Sequence, residues 1–301
     1  MEPVPPELQE LIQERTDRYN STPVVDFEGL SPDDMHGLLY FPFDEARSPL
    51  VFKDASGCNE LGSLPLLKHF RTFMEELRAR EPLKLTVNKN LPVAFCRRMC
   101  ELELYEDPYF KEALERFSLR NESEYIYLEN LDWMARNGGL LRIAKGKMSL
   151  GPKGRRLLDG WKDHEAYWLL FFLGTTKLNW AMNDRYPESR MIQRGFGFSI
   201  RLVQKYGDVP RPVKFYSDKY RVAFPNIMLD FREVGNNAEW QYASSYRIRV
   251  FRCFLERFGI VSISGGRDLP ERDETARKTP LADKLFGWRR PRGPPSGMPS
   301  S

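Results

Sequence analysis

The stretch Asn137-Gly-Gly-Leu-Leu-Arg-Ile-Ala-Lys-Gly-Lys-Met-Ser-Leu-Gly-Pro-Lys-Gly-Arg-Arg-Leu-Leu158 decides the reading of this chain. Gly138 and Gly139 can take the left-handed conformation that ends a helix, and Asn137 tolerates it. Leu140-Leu-Arg-Ile143 is an apolar run of strand length. Lys145-Gly146 supplies a tight turn with a glycine where positive φ is favoured. Lys147-Met-Ser-Leu150 alternates polar and apolar residues, as a half-buried strand does. Gly151-Pro152 then opens a new helix, whose buried face is Leu157 and Leu158. A helix running into a tight hairpin predicts a winged-helix unit.

Working backwards, Leu64 to Arg80 reads as a helix with Leu67, Phe70, Phe73, Met74 and Leu77 at core-facing spacing. Pro82 stops it, Leu83 to Thr86 is a strand candidate, and Leu91-Pro92 starts a helix to about Leu104. Residues 105–120 read as a polar connection with one more helical turn. Asn121 to Asn137 is the helix before the hairpin. Towards the N-terminus, Pro6 to Tyr19 is an amphipathic helix expected to dock through Leu8, Leu11 and Ile12. Ser31-Pro32-Asp33-Asp34 caps a helix that carries His36, Leu38 and Leu39.

The second half repeats the plan. Glu165 to Leu178, Pro187 to Tyr206, Pro212 to Phe224 and Trp240 to Phe258 read as helices. The last buries Tyr246, Val250, Phe254, Leu255 and Phe258 and stops at Gly259. Ile260 to Ile263 and Glu274 to Thr279 are strands joined by a long polar turn, and Pro280 starts a final helix. Gly139-Leu-Leu matches Gly259-Ile-Val, and Ser149-Leu-Gly-Pro152 is similar to Lys278-Thr-Pro280. Both halves also finish in Gly-Trp, at Gly160-Trp161 and Gly287-Trp288. The fold expected is therefore mainly α with short β-hairpins, an α+β chain of two tandem winged-helix-like units. Residues 1–60 form an arm and lead-in, 61–162 the first unit, 163–288 the second, and 289–301 a disordered basic tail.

Leu83-Lys-Leu-Thr-Val-Asn-Lys-Asn-Leu-Pro92 resembles the Leu-Thr-x-x-Gly-x-Leu-Pro pattern of a family of bacterial winged-helix-like proteins. The resemblance covers roughly residues 60–160. It departs from the pattern at Asn90, where the family has glycine, and at Ser149, where it has threonine. It implies the fold and no particular activity.

Composition fits a globular chain of 301 residues, with 41% apolar and 13% aromatic residues. Cys58, Cys96, Cys100 and Cys253, with a first stretch, Met-Glu-Pro-Val-Pro-Pro, unlike an export signal, predict free thiols in a reducing, cytoplasmic setting. The longest apolar run, Ala166 to Leu173, is too short to span a bilayer. Net charge is +4, and taking away Arg289, Arg290 and Arg292 of the tail leaves +1 for residues 1–288. Global charge is thus no argument for nucleic acid.

No nucleophile elbow, phosphate loop or His-Glu-x-x-His is present. His164-Glu165 has no second histidine four residues on, and Gly195-Phe-Gly197 lacks the third glycine of a dinucleotide fingerprint. Cys96 and Cys100 lie one helical turn apart without further ligands nearby, short of the four a closed zinc site needs. No catalytic residue, metal or cofactor is expected, and the chain reads as non-enzymatic. Binding remains. The helix before the first hairpin carries Glu122, Glu124, Glu129 and Asp132 against Arg136, a charge of −3 that phosphate would repel. The helix before the second carries Arg247, Arg249, Arg252 and Arg257 against Glu256, a charge of +3. Those four arginines are the candidate nucleic-acid contacts, with Arg247 and Arg252 expected on the exposed side. The leading expectation is a structural or protein-interaction module with a protein partner; the alternative is a nucleic-acid-binding protein using the second unit's basic helix.

Overall fold

The computed structural model describes residues 5–102, 120–184, 186–234, 237–265 and 274–289. The chain is mainly helical with a few small antiparallel sheets. No helix among the described residues is long and apolar enough to cross a membrane.

The first half runs α1 (Pro6–Ser21), α2 (Pro32–Tyr40), β1 (Leu50–Phe52), α3 (Pro65–Arg80), β2 (Leu83–Lys84), α4 (Val93–Glu101), α5 (Ile126–Asn137), β3 (Leu141–Ala144), β4 (Lys147–Leu150) and α6 (Pro152–Asp159). The second half runs α7 (Asp163–Thr176), α8 (Arg190–Arg194), α9 (Phe196–Tyr206), β5 (Arg211–Pro212), α10 (Val213–Ala223) and α11 (Ala238–Tyr246). Without a break α11 becomes a π-helix over Arg247–Leu255, followed by β6 (Val261–Ser264), β7 (Thr275–Lys278), α12 (Pro280–Leu285) and β8 (Phe286–Trp288).

The hairpin β3–β4 forms as its local chemistry requires. Gly139 sits at φ +70°, and Leu140 N–H bonds Ala135 C=O while Gly139 N–H bonds Arg136 C=O, which closes the end of α5. Gly138, by contrast, is right-handed; a Cβ there would meet Leu173 Cδ1 at 2.7 Å. Lys145 and Gly146 both have positive φ, the requirement of a turn that matches strand twist. The same helix end recurs at Gly259, at φ +69°, where Ile260 N–H bonds Leu255 C=O and Gly259 N–H bonds Glu256 C=O.

Each hairpin is joined by a strand from earlier in the chain, in the order β2-β4-β3 in the first half and β5-β7-β6 in the second. Leu83 faces Met148 and Arg211 faces Ala276. Among the described residues the order of helices and strands around each sheet is the same: helix (α3 or α9), short strand, helix (α4 or α10), helix (α5 or α11), hairpin. A third sheet, β1–β8, pairs Leu50 with Trp288 and Phe52 with Phe286, tying the lead-in to the far end of the described chain.

One contiguous core runs through both halves, with α7 at its centre. Phe171 of α7 meets the rings of Phe196, Phe254, Phe258 and Phe286, and the buried Tyr167 hydroxyl donates to Phe258 C=O at 3.0 Å. The lead-in is pinned by Glu28, whose carboxylate takes bonds from Lys205, Lys219 and Tyr206.

Several elements differ from the sequence reading. No residue of α1 is buried, and Leu8, Leu11 and Ile12 are exposed. The helix expected over Pro187 to Tyr206 is two, broken at Gly195, where the Tyr220 hydroxyl occupies the space of a Cβ and donates to Met191 C=O at 2.6 Å. Asn121 to Asn137 begins with a 3₁₀ turn, Glu122–Glu124, before α5. Gly160-Trp161 ends a helix whereas Gly287-Trp288 lies in β8, so that third likeness between the halves is not structural. The helical turn expected within 105–120, the tip of the second hairpin at 266–273 and the tail beyond Arg289 lie outside the described residues.

Candidate nucleic-acid interface

Arg247, Arg249 and Arg252 stand on the π-helical stretch and Arg257 on the turn that follows it, and the structure gives each guanidinium a partner inside the protein. Residues 247–255 are held by i→i+5 bonding, which widens the helix and brings residues five apart onto neighbouring positions. Arg247 and Arg252 are five apart. They reach the same carboxylate oxygen, Glu274 Oε1, at 3.0 and 2.8 Å, and the Glu274 side chain is only 1% exposed. Arg252 also donates to Glu256. The Arg247 and Arg252 side chains are 18% and 14% exposed, so neither flanks an open face as expected from a regular 3.6-residue period.

Arg249 is buried completely for practical purposes, at 1%. Its Nε and Nη2 clasp both oxygens of Asp184 at 2.8 and 2.7 Å, and Nη2 also donates to Tyr186 and Pro187 C=O. Such a two-pronged pair supplies directional bonds that offset part of the cost of burying two charges. Arg257 lies over the Tyr127 ring of α5, 4.5 Å from its centroid. That contact joins the helix before the second hairpin to the helix before the first.

Both of these helices are enclosed. No residue from 126 to 136, and none from 241 to 260, is exposed. Two of the four acids counted on the first segment are also turned inward. Glu122 and Asp132 are 4% and 3% exposed. Burial, reinforced by the Asp132 charge, pushes the Glu122 carboxyl up to about 8, favouring its protonated form. Its Oε2 accepts from Leu91 N–H at 2.6 Å. Asp132 is raised by burial too, but Arg136, at 2.5 Å, favours its charged form. The formal charge of −3 read along this segment is therefore only partly a surface charge, since Glu124 alone of its acids is exposed.

The other sequence candidates have structural roles. Burial pushes the Cys96 and Cys100 thiols up to about 12, far from the thiolate a metal or a nucleophile requires. Among the described residues no group of three or more His, Cys, Asp or Glu could hold a metal ion. His36 is exposed and packs on the rings of Tyr40 and Phe41. Gly197 makes room for Leu38, whose Cδ1 a Cβ would meet at 2.5 Å.

A feature that sequence reasoning missed lies on the first sheet. Directly opposed residues of an antiparallel ladder share a face. Lys84 opposes Lys147, and Ser149, two residues further along β4, opposes Arg142. All three cations are exposed, as is Lys145 in the turn. The signal was present in the chain: residues 138–158 hold six Lys and Arg and no acid. Its meaning depends on strand register, which the sequence does not display.

No protein-family model matches this chain, and neither a curated protein nor a solved structure is significantly similar to it.

Proposed function

We propose that the chain is a tandem winged-helix protein that acts, without catalysis, as a protein-interaction module. The winged-helix assignment rests on the shared order of helix, strand, two helices and hairpin, and on the matching sheets β2-β4-β3 and β5-β7-β6. A winged helix that reads DNA lays the helix before its hairpin into the major groove, with side chains free to meet base edges. The observation that carries the interaction reading is the enclosure of both such helices, sealed to each other through Tyr127 and Arg257. The arginines that favoured nucleic acid spend their charge on Glu274, Asp184 and Glu256. The test is selection from a random duplex library with the full chain. No sequence should be enriched, because neither helix before a hairpin presents open side chains to base edges. A reproducible enriched site would overturn the reading.

A further inference from the structure

We propose that the free edge of β3, with the cationic sheet face beside it, is a docking surface for an acidic, extended segment of a protein partner. The inference rests on the interaction-module reading and gives its partner a chemistry.

Three features meet there. The first is charge. Lys84 and Lys147 are direct cross-strand neighbours, an arrangement that destabilises a sheet when nothing neutralises it. Arg142 lies diagonally from Lys147, and Lys145 stands at the tip. Among the described residues none of these four makes an ion pair; the nearby Arg155 is the cation that does, with Glu81. The second is an open strand edge. β3 is the outermost strand of its sheet, and Arg142, Ile143 and Ala144 are all exposed. A strand with a partner on one side turns alternate N–H and C=O groups outward, ready to pair with another strand. The third is apolar surface at the same place. Ile143, on β3 itself, is 41% exposed.

A peptide fits this combination better than a nucleic-acid backbone. Phosphates only accept hydrogen bonds, so they leave the outward carbonyls of β3 without donors. They also offer nothing to Ile143. An extended peptide pairs with both kinds of main-chain group, places acidic side chains against Arg142 and, across the small Ala144, towards Lys147, and sets apolar ones on the other face of the ladder. Charge complementarity then supplies the on-rate and the register.

The experiment uses fluorescence anisotropy with the full chain and a labelled peptide of alternating Glu and Val residues. A second peptide carries N-methyl groups on alternate residues, which removes main-chain donors and leaves the charge unchanged. The expected result is saturable binding at low salt, weakened about tenfold or more in Arg142→Glu/Lys147→Glu and about as much by N-methylation. Circular dichroism of the variant should match the wild type, because both residues are exposed; the N-methyl comparison needs no variant at all. The proposal is overturned if the peptide does not bind at low salt, or if N-methylation has no effect. It is also overturned if a random duplex binds tighter and displaces the peptide. Absence of peptide binding would leave the enclosure of the two helices, and the reading built on it, untouched.

Discussion

The Arg257 guanidinium lies 4.5 Å from the centroid of the Tyr127 ring, and both residues are 8% exposed. It links the two halves of the chain through the helices that each half sets before its hairpin. With little water around it, a contact of this kind contributes more than a surface one. A double-mutant cycle of Arg257→Ala and Tyr127→Leu should give a coupling of about 1–2 kcal/mol in urea unfolding. Additive single effects would mean that the two helices are held together by apolar packing alone.

Arg249 and Asp184 should behave as a buried pair. Arg249→Ala leaves the Asp184 carboxylate without its two-pronged partner and should cost about 3–5 kcal/mol. Replacing both, as Arg249→Met/Asp184→Leu, should recover much of that loss, because no charge is then stranded. Denaturant midpoints of the single and double variants test this. A loss below about 1 kcal/mol for Arg249→Ala, typical of an exposed pair, would contradict the burial described here.

The Glu122–Asp132 pair sets a pH dependence. The Glu122 carboxyl holds its proton more tightly in the folded chain, at about 8, than at the ordinary value of 4.5. Folding therefore gains from that proton in full below about 4.5 and loses the gain as pH rises through 8. Glu122→Gln keeps an acceptor for Leu91 N–H and a donor for Asp132, and it cannot ionise. Its unfolding free energy should vary less between pH 5 and pH 8 than that of the wild type, and should equal or exceed the wild type at pH 8. A variant whose pH profile parallels the wild type would remove Glu122 as the titrating group.

The two helix ends offer a comparison. At Gly139 a Cβ meets nothing within 4 Å, so Gly139→Ala should cost only the left-handed backbone term, about 1–2 kcal/mol. At Gly259 the same atom would stand 2.6 Å from Leu64 Cδ2 and 3.2 Å from Leu281 Cδ2. Gly259→Ala should therefore cost more than Gly139→Ala in thermal unfolding. Equal costs would show that Leu64 moves aside freely.

What the sequence displayed was the local part of this fold. Gly139, Lys145-Gly146 and Pro152 announce the first hairpin because each acts on its own backbone, and Gly259 does the same for the helix end before the second. The capping box at Ser31 and Asp34 was legible for the same reason. Partners remote along the chain were not. Asp184 and Arg249 meet across 65 residues, and β8 returns to β1 from the other end of the described fold. The arginines were read on a 3.6-residue period, but i→i+5 bonding re-aims Arg247 and Arg252 at Glu274. Nor could a count of formal charges show that burial favours the protonated form of Glu122, or that Lys84 would stand opposite Lys147.

The central claim is that the arginine helix serves the interior. The variant Arg247→Ala/Arg252→Ala tests it most directly, with urea unfolding and duplex affinity measured on the same preparation at low and moderate salt. Glu274 would lose both partners, so the account predicts a fall in stability of about 3 kcal/mol or more and a duplex affinity and salt slope like those of the wild type. A variant that keeps its stability but loses duplex affinity, with the salt slope flattened by about two, would place these arginines on phosphates and contradict it.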